Sequence, residues 1–345
     1  MPLAPASWEV FRNGTQGETG MNSNMGRRAV MLAAPGLMLG AGSARAQAWP
    51  TRSVRFVVGF AAGGANDIVA RLLAAKLAER LPGSSFIVEN RPGASTQVAA
   101  DHVARSAPDG TTFFYTSPST QIAVLVNRTT TFDPMQALVP VVMAQSAPLA
   151  LVCRPDFPAR TVPEFIALAR ERGARLTVSH PGTGAVNHLA MALLMRRTGI
   201  EPTLVPYSGN QPSITALIRG EVDVAHDGLF TPRAQLQEGT LRALAVTSAE
   251  RSPIYPDVPA FAESLPGYEV VFWGGLLAPR GTPDPILDRL ADEVGGVLGQ
   301  PDVIARIRSF GGEPASGGRP AFARVYAADW EKWSQVVREN DIRPT

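Results

Sequence analysis

A chain of 345 residues, 45% hydrophobic and 18% charged, is long enough for two average domains and able to bury a substantial core. Thirty-two Lys+Arg against 30 Asp+Glu leave a net charge of +2 with no basic stripe, which argues against nucleic acid as a partner. The single cysteine, Cys153, excludes an internal disulfide, so a packed core has to hold the fold.

From Met25 the sequence runs MGRRAVMLAAPGLMLGAGSARAQAWP: an arginine pair at Arg27-Arg28, an apolar stretch from Ala29 to Leu39, then Ala-X-Ala spacings at Ala44/Ala46 and Ala46/Ala48. A charged start, a short apolar centre and a small-residue cleavage site make a secretory signal peptide, too short to span a bilayer. Segment 1–48 is therefore expected to be leader and signal, using the twin-arginine or the general secretory route. Met21 and Met25 are better starts than Met1. Loss of this segment removes four arginines and two glutamates and leaves a neutral mature protein, expected in the periplasm.

VRFVVGF (54–60) has the composition of a strand, and Ile68, Val69, Leu72, Leu73 and Leu77 recur after it at helical spacing. SFIVENRPG is a strand ending in a Pro-Gly turn, STQVAADHVARSAPDG a helix stopped by Pro-Asp-Gly, and TTFFYTS a further strand. This is a βαβαβ unit, hence a largely parallel, doubly wound sheet. ALVPVVMAQSAPLALVCRPD (137–156) holds two extended runs, the second a crossing strand. TVPEFIALARERG begins a helix with Thr161 as N-cap, Pro163 in the first turn and Glu164 three residues on.

RLTVSHPGTGAVNHLAMALLMRRTG then repeats the order of strand, glycine turn and helix. TLVPYSGNQPSITALIRGEVDVAHDG supplies a strand, a helix from about Gln211 and a strand ending at Asp227; LRALAVTS is another strand, and helical patterns occupy 284–299 and 319–340. The expected architecture is α/β, two-lobed, with a ligand cleft between two doubly wound sheets. Lobe 1 takes 49–148 plus 273–345 and lobe 2 takes 149–272, with crossings near 148 and 272. Ligands in such sheets sit where strand ends and helix N-termini point.

Nucleotide binding does not fit the first glycine turn. Gly63-Gly64 is followed by neither the Gly-Lys-Ser/Thr of a phosphate loop nor the glycine spacing of a dinucleotide fold. Hydrolysis lacks a Gly-x-Ser-x-Gly elbow and a His-Glu-x-x-His pair among His102, His180, His188 and His226. One cysteine and scattered histidines give no metal cluster, and no cofactor is expected. What remains is binding by backbone: the first N–H groups of a helix have no internal acceptor, and glycine lets an anion approach them.

These residues resemble the Bug family, the extracytoplasmic solute receptors of tripartite tricarboxylate transporters. The resemblance runs through WPTRSVRFVVGFAAGGANDIVAR, VENRPGAS, SAPDGTTFF, FDP, GTGAVNHLA, VPYSGNQPSITALIRGEVDV, LRALAVTSAERSPIYPDVPAFAE and GLLAPRGTP, in order along essentially the whole mature chain. It implies a periplasmic-binding-protein fold that closes on a small carboxylate and delivers it to membrane permease subunits, as a monomer and without catalysis. The carboxylate would be a di- or tricarboxylate, an amino acid or an aromatic acid. A sensor subunit feeding a signalling receptor would use the same pocket, and sequence does not separate the two.

The resemblance places the ligand against the first glycine loop, Phe60, Ala62, Gly63, Gly64 and Asp67. The opposing face would come from Thr116, Ser117 and Thr120, from Gly182, Thr183, Gly184, Ala185 and His188, and from Tyr207 and Asp227. Ala185 stands where the family usually has a serine, and His180 and His226 where it has small or apolar residues, so the pocket's polar complement departs from a typical member. An acid at Asp67 also satisfies orphan N–H groups by itself, and Asp227 at the cleft would favour ligands with an amino group.

Overall fold

In the computed structural model, residues 49–127, 132–315, 317–340 and 342 are described; the expected leader and signal segment lies outside them. The mature chain opens on the expected βαβαβ order: β1 (Val54–Val58), α1 (Ala65–Arg80), β2 (Phe86–Asn90), α2 (Gln97–Ala104) and β3 (Thr112–Thr116). β1 lies between β2 and β3 and is parallel to both, with Phe56 opposite Val88 on one side and Phe113 on the other. A parallel sheet is covered on both faces, which is why Val54, Phe56, Val57 and Val58 are all buried.

Two short helices follow, α3 (Ser119–Val126) and α4 (Pro134–Ala137), the second capped by Asp133, whose carboxylate accepts from the Met135 N–H at 2.8 Å. They lead into β4 (Leu138–Cys153), a single strand of 16 residues where the sequence suggests two runs. Pro140 sits at one of its register shifts, a place where a strand tolerates a missing N–H.

The second half holds α5 (Val162–Arg172), β5 (Thr177–His180), α6 (Val186–Thr198), β6 (Thr203–Pro206), α7 (Asn210–Arg219), β7 (Val224–Gly228), α8 (Arg233–Glu238), β8 (Arg242–Val246) and α9 (Phe261–Ser264). Thr161 caps α5 by accepting from the Glu164 N–H, and Glu164 accepts in turn from the Arg160 N–H. The chain then returns through β9 (Val271–Pro279), α10 (Asp284–Leu298), α11 (Pro301–Arg308), β10 (Glu313–Pro314) and α12 (Gly318–Glu339).

The strands pair in the order β2-β1-β3-β9-β4-β7-β5-β6, with β8 and β10 also on β4. β4 is the joint of this arrangement. From Leu138 to Pro148 it runs antiparallel to β9, and from Leu149 to Cys153 it pairs with β7 and β8 instead. Helix α12 spans the same joint: Phe322 and Tyr326 pack with Trp273 and Phe114 in one core, while Trp333, Val336 and Val337 pack with Leu189, Met191 and Phe165 in another. No described helix is long and apolar enough to cross a membrane.

Candidate ligand-binding cleft

A cavity of ≈ 410 Å³ lies where β4 changes partners, floored by Gln145, Ala147, Pro148 and Leu149. Four helices start on it, α3 with Ser119 and three others. Ala65 and Asn66 of α1, Val186 and Asn187 of α6, and Gly209 and Asn210 at the head of α7 all line the space. The N-caps of α1, α6 and α7 are Gly64, Ala185 and Gly209, and none offers a side-chain acceptor to the first turn. Away from the cavity, α4 and α5 are capped by Asp133 and Thr161. The helices facing the cleft therefore keep first-turn N–H groups that an anion can use, unlike α4 and α5.

The first of these helix entries is held by Asp67. Its buried carboxylate accepts from the Gly63 N–H at 2.9 Å, from Arg71 Nε at 3.0 Å and from Asn90 Nδ2 at 2.8 Å. Asn90 Nδ2 also reaches the Phe60 carbonyl at 3.1 Å, so the loop is tied at both ends. Burial alone would raise the Asp67 pKa, but the hydrogen bonds from Arg71, Gly63 and Asn90 and the Arg71 charge carry it below the ordinary value. Asp67 holds the loop and does not line the cavity, whereas Phe60 does.

The second entry is splinted by histidines. Gly182 and Gly184 take φ values of +146° and +78°, and between β5 and α6 the rings of His180 and His188 stack at 4.7 Å between centroids. The Gly184 N–H donates to His188 Nδ1 at 3.1 Å, which leaves the proton of a neutral ring on Nε2. Burial, then the neighbouring His180, push His188 down to about 4; burial and His180 push His226 down to about 3, and burial lowers His180 itself. Both ring nitrogens of His226 are buried without a partner.

These groups fold neutral and charge on unfolding, so the unfolded chain binds more protons from about pH 6.5 down to the folded values. Their contribution is intact above pH 6.5 and is lost as pH falls toward 4. Asp227 works in the opposite sense, since its raised pKa retains a proton in the folded state between 3.8 and about 6, but it is one group against three. Thermal melts across pH 7 to 4 should show a falling midpoint; a flat profile would mean that the histidines are not held neutral.

The third entry meets Asp227 at the end of β7. Its Oδ1 accepts from Asn210 Nδ2, from the Gly228 N–H at 2.6 Å and from Thr231 Oγ1 at 3.4 Å, while Oδ2 is buried with no partner. Burial, only partly offset by these hydrogen bonds, pushes its pKa up to about 6. Asn66 Oδ1 is a second buried oxygen on the cleft without a donor. Phe60, Phe230, Phe272 and Phe310 supply aromatic wall, with Phe230 and Phe310 edge to face at 5.5 Å. Among the described residues neither Lys, Arg nor His lines the cavity.

Of the residues singled out from sequence, Phe60, Ala185 and Asp227 lie on this cavity. Ala62, Gly63 and Gly64 are exposed beside it, immediately before Ala65. Thr116, Ser117 and Thr120 are buried; Thr120 Oγ1 is hydrogen-bonded to both Thr116 Oγ1 and Thr96 Oγ1, while Ser117 Oγ donates to Ser119 Oγ at 3.1 Å, and it is Ser119 that lines the cleft. Gly182 and Gly184 shape the turn below Ala185. Thr183 and His188 line a different cavity of ≈ 330 Å³ with Asn340 and Ile342. Tyr207 packs against the apolar cluster around Ile214 and Leu217, and its N–H donates to the His180 carbonyl at 2.9 Å. Asn66 and Asn187 fall inside the two glycine loops, 60–67 and 182–188, without being singled out, whereas Asn210, Phe230, Phe272 and Phe310 were not expected at the site.

Among the described residues no group of three or more His, Cys, Asp or Glu is arranged to hold a metal. Cys153 is buried, and burial pushes its thiol up to about 11, far from a nucleophile.

A cleft at the crossing strands of two α/β halves, walled by uncapped helix N-termini, defines a solute-binding protein of the periplasmic receptor class. Residues 69–342 match the model of the tripartite tricarboxylate transporter family receptor. A Pseudomonas sp. (strain P51) protein, the UPF0065 protein in the tcbD-tcbE intergenic region, is 34% identical over 322 residues, covering 92% of this chain and 95% of that one. Among solved structures, R. palustris Rpa4515 with adipate superposes with a TM-score of 0.73 at 36% identity, covering 86% of this chain and 100% of that one. MatC from Rhodopseudomonas palustris with bound malate gives a TM-score of 0.69 at 36% identity, with 84% and 100% covered. The chain belongs to the tripartite tricarboxylate transporter receptor family, as the sequence motifs imply.

Proposed function

We propose that this receptor captures a small carboxylate outside the cytoplasm and hands it to the permease subunits of a tripartite tricarboxylate-type transporter. The observation that carries the reading is the convergence of α1, α6 and α7, each without a side-chain cap, on one cavity that has no cationic side chain among the described residues. Partial positive charge at helix starts and unpaired N–H groups suit a carboxylate, and need no Lys or Arg. The adipate and malate found with two related structures support the same ligand chemistry. Export to the periplasm by segment 1–48 and a monomeric state complete the proposal.

Capture works by closure of two lobes, 49–148 plus 273–345 against 149–272. The switch of β4 from β9 to β7 and β8 at Pro148/Leu149 supports a hinge there, with β9 beside it near 272. Closure would bring Phe60 and the α1 entry onto the α6 and α7 entries.

A thermal-shift screen of refolded protein against small carboxylates tests this function. A ligand that binds only the folded state at ~100 times its Kd adds ~2.7 kcal/mol to apparent stability. At least one carboxylate should raise the midpoint; a library in which none does would refute the reading.

A further inference from the structure

We infer that the cleft selects a carboxylate with an aromatic body bearing an amino or hydroxyl donor directed at Asp227, in preference to a compact aliphatic dicarboxylate. This deepens the carboxylate reading and rests on it. Three independent features of the cavity point the same way.

The first is the wall. Phe60, Phe230, Phe272 and Phe310 come from four separate segments and all face the ligand space, with Pro148 and Leu149 below. Apolar and aromatic surface is covered favourably by a ring and gains nothing from a small polyanion, whose hydration it would strip. Phe230 is 48% exposed, so ligand burial also removes apolar surface that the protein alone leaves in water.

The second is the charge balance. The helix starts can hold one carboxylate, but among the described residues neither Lys, Arg nor His lines the cavity to hold a second, and the one ionisable side chain that does is itself an acid. A second ligand carboxylate near Asp227 would meet like charge in a dry site.

The third is the unequal use of the Asp227 oxygens. Oδ1 already receives Asn210, the Gly228 N–H and Thr231, which leaves it saturated. Oδ2 is fully buried and has no donor at all, and Asp227 is one of the residues that line the cavity. An orphaned buried carboxylate oxygen is costly, and an N–H or O–H on the ligand relieves that cost.

Calorimetric titration of refolded protein with benzoate, the three aminobenzoate and three hydroxybenzoate isomers, adipate and malate tests the inference. At least one donor-bearing isomer should bind about tenfold or more tighter than benzoate, the size expected for a hydrogen bond to a charged group. It should also bind more tightly than adipate and malate. Asp227→Asn keeps the acceptor used by Asn210 and Gly228 but turns the free oxygen into a donor, and should collapse the preference over benzoate. Melting curves confirm that this variant is folded. Phe230→Ala, at a half-exposed position, should weaken the aromatic ligands and spare the aliphatic ones. Benzoate binding as tightly as every substituted isomer, a preference that survives Asp227→Asn, or adipate or malate binding tightest would overturn the inference while leaving carboxylate capture intact. Failure of every carboxylate would sink both.

Discussion

Replacing Gly64 by valine should abolish carboxylate binding and leave the melting temperature nearly unchanged. Gly64 is the N-cap of α1 at φ −76° and ψ 165°, an extended conformation that valine adopts freely. A Cβ built there comes no closer than 3.7 Å to any neighbour, the Ala61 carbonyl oxygen, and the residue is exposed. Neither backbone geometry nor packing therefore requires glycine at this position. The fold loses at most the small preference of an N-cap for glycine over a branched residue, about 1 kcal/mol or less. A valine side chain would instead stand at the entrance to the first-turn N–H groups of Ala65 and Asn66, where the ligand has to come within hydrogen-bond distance. Titration and a melting curve on the same preparation separate the two effects. Unaltered affinity would show that the α1 entry is not part of the grip.

Gly275→Val is the opposite case, a substitution expected to break the fold by about 3 kcal/mol or more through overpacking. A Cβ at Gly275 would lie 2.8 Å from Phe322 Cζ and 2.8 Å from the Val142 carbonyl oxygen. The first neighbour is locked edge to face against Trp273 at 5.1 Å, and the second belongs to β4 where it pairs with β9, so neither has room to yield. The damage should reach both halves of the molecule, because β4, β9 and α12 all meet there. Urea denaturation measures it directly, and a wild-type midpoint would contradict the close approach of β9 to α12.

Local signals made much of the architecture legible. The order strand, glycine turn, helix at β1–α1 and β5–α6 is written within a few residues, and so is the Thr161–Glu164 cap. β4 was harder, because Pro140 and Pro148 divide its apolar run; in the fold these prolines sit at a register shift and beside the change of partners, where a ladder tolerates them. α3 was missed because SerThrGlnIleAlaValLeuVal follows β3 with scarcely a break and its β-branched residues look extended.

The candidate site divides in the same way. Ala185 and Phe60 sit next to glycine turns that announce themselves, and Asp227 ends a strand. Phe230, Phe272 and Phe310 carry no shared periodicity, since only the chain crossings bring their segments together. Thr116, Ser117 and Thr120 lie close to the cleft, but hydroxyl-to-hydroxyl bonding with Thr96 turns two of them inward, a pairing between distant segments that spacing alone does not reveal.

The lack of a cationic side chain on the cleft among the described residues bears on how such a receptor performs in a fluctuating medium. A guanidinium or ammonium clamp competes with dissolved anions, and its reach shrinks with ionic strength. A grip made of backbone dipoles inside a largely apolar cavity gives mobile ions little to screen and chloride little to displace. Affinity for solute should thus change little with the salinity of the medium.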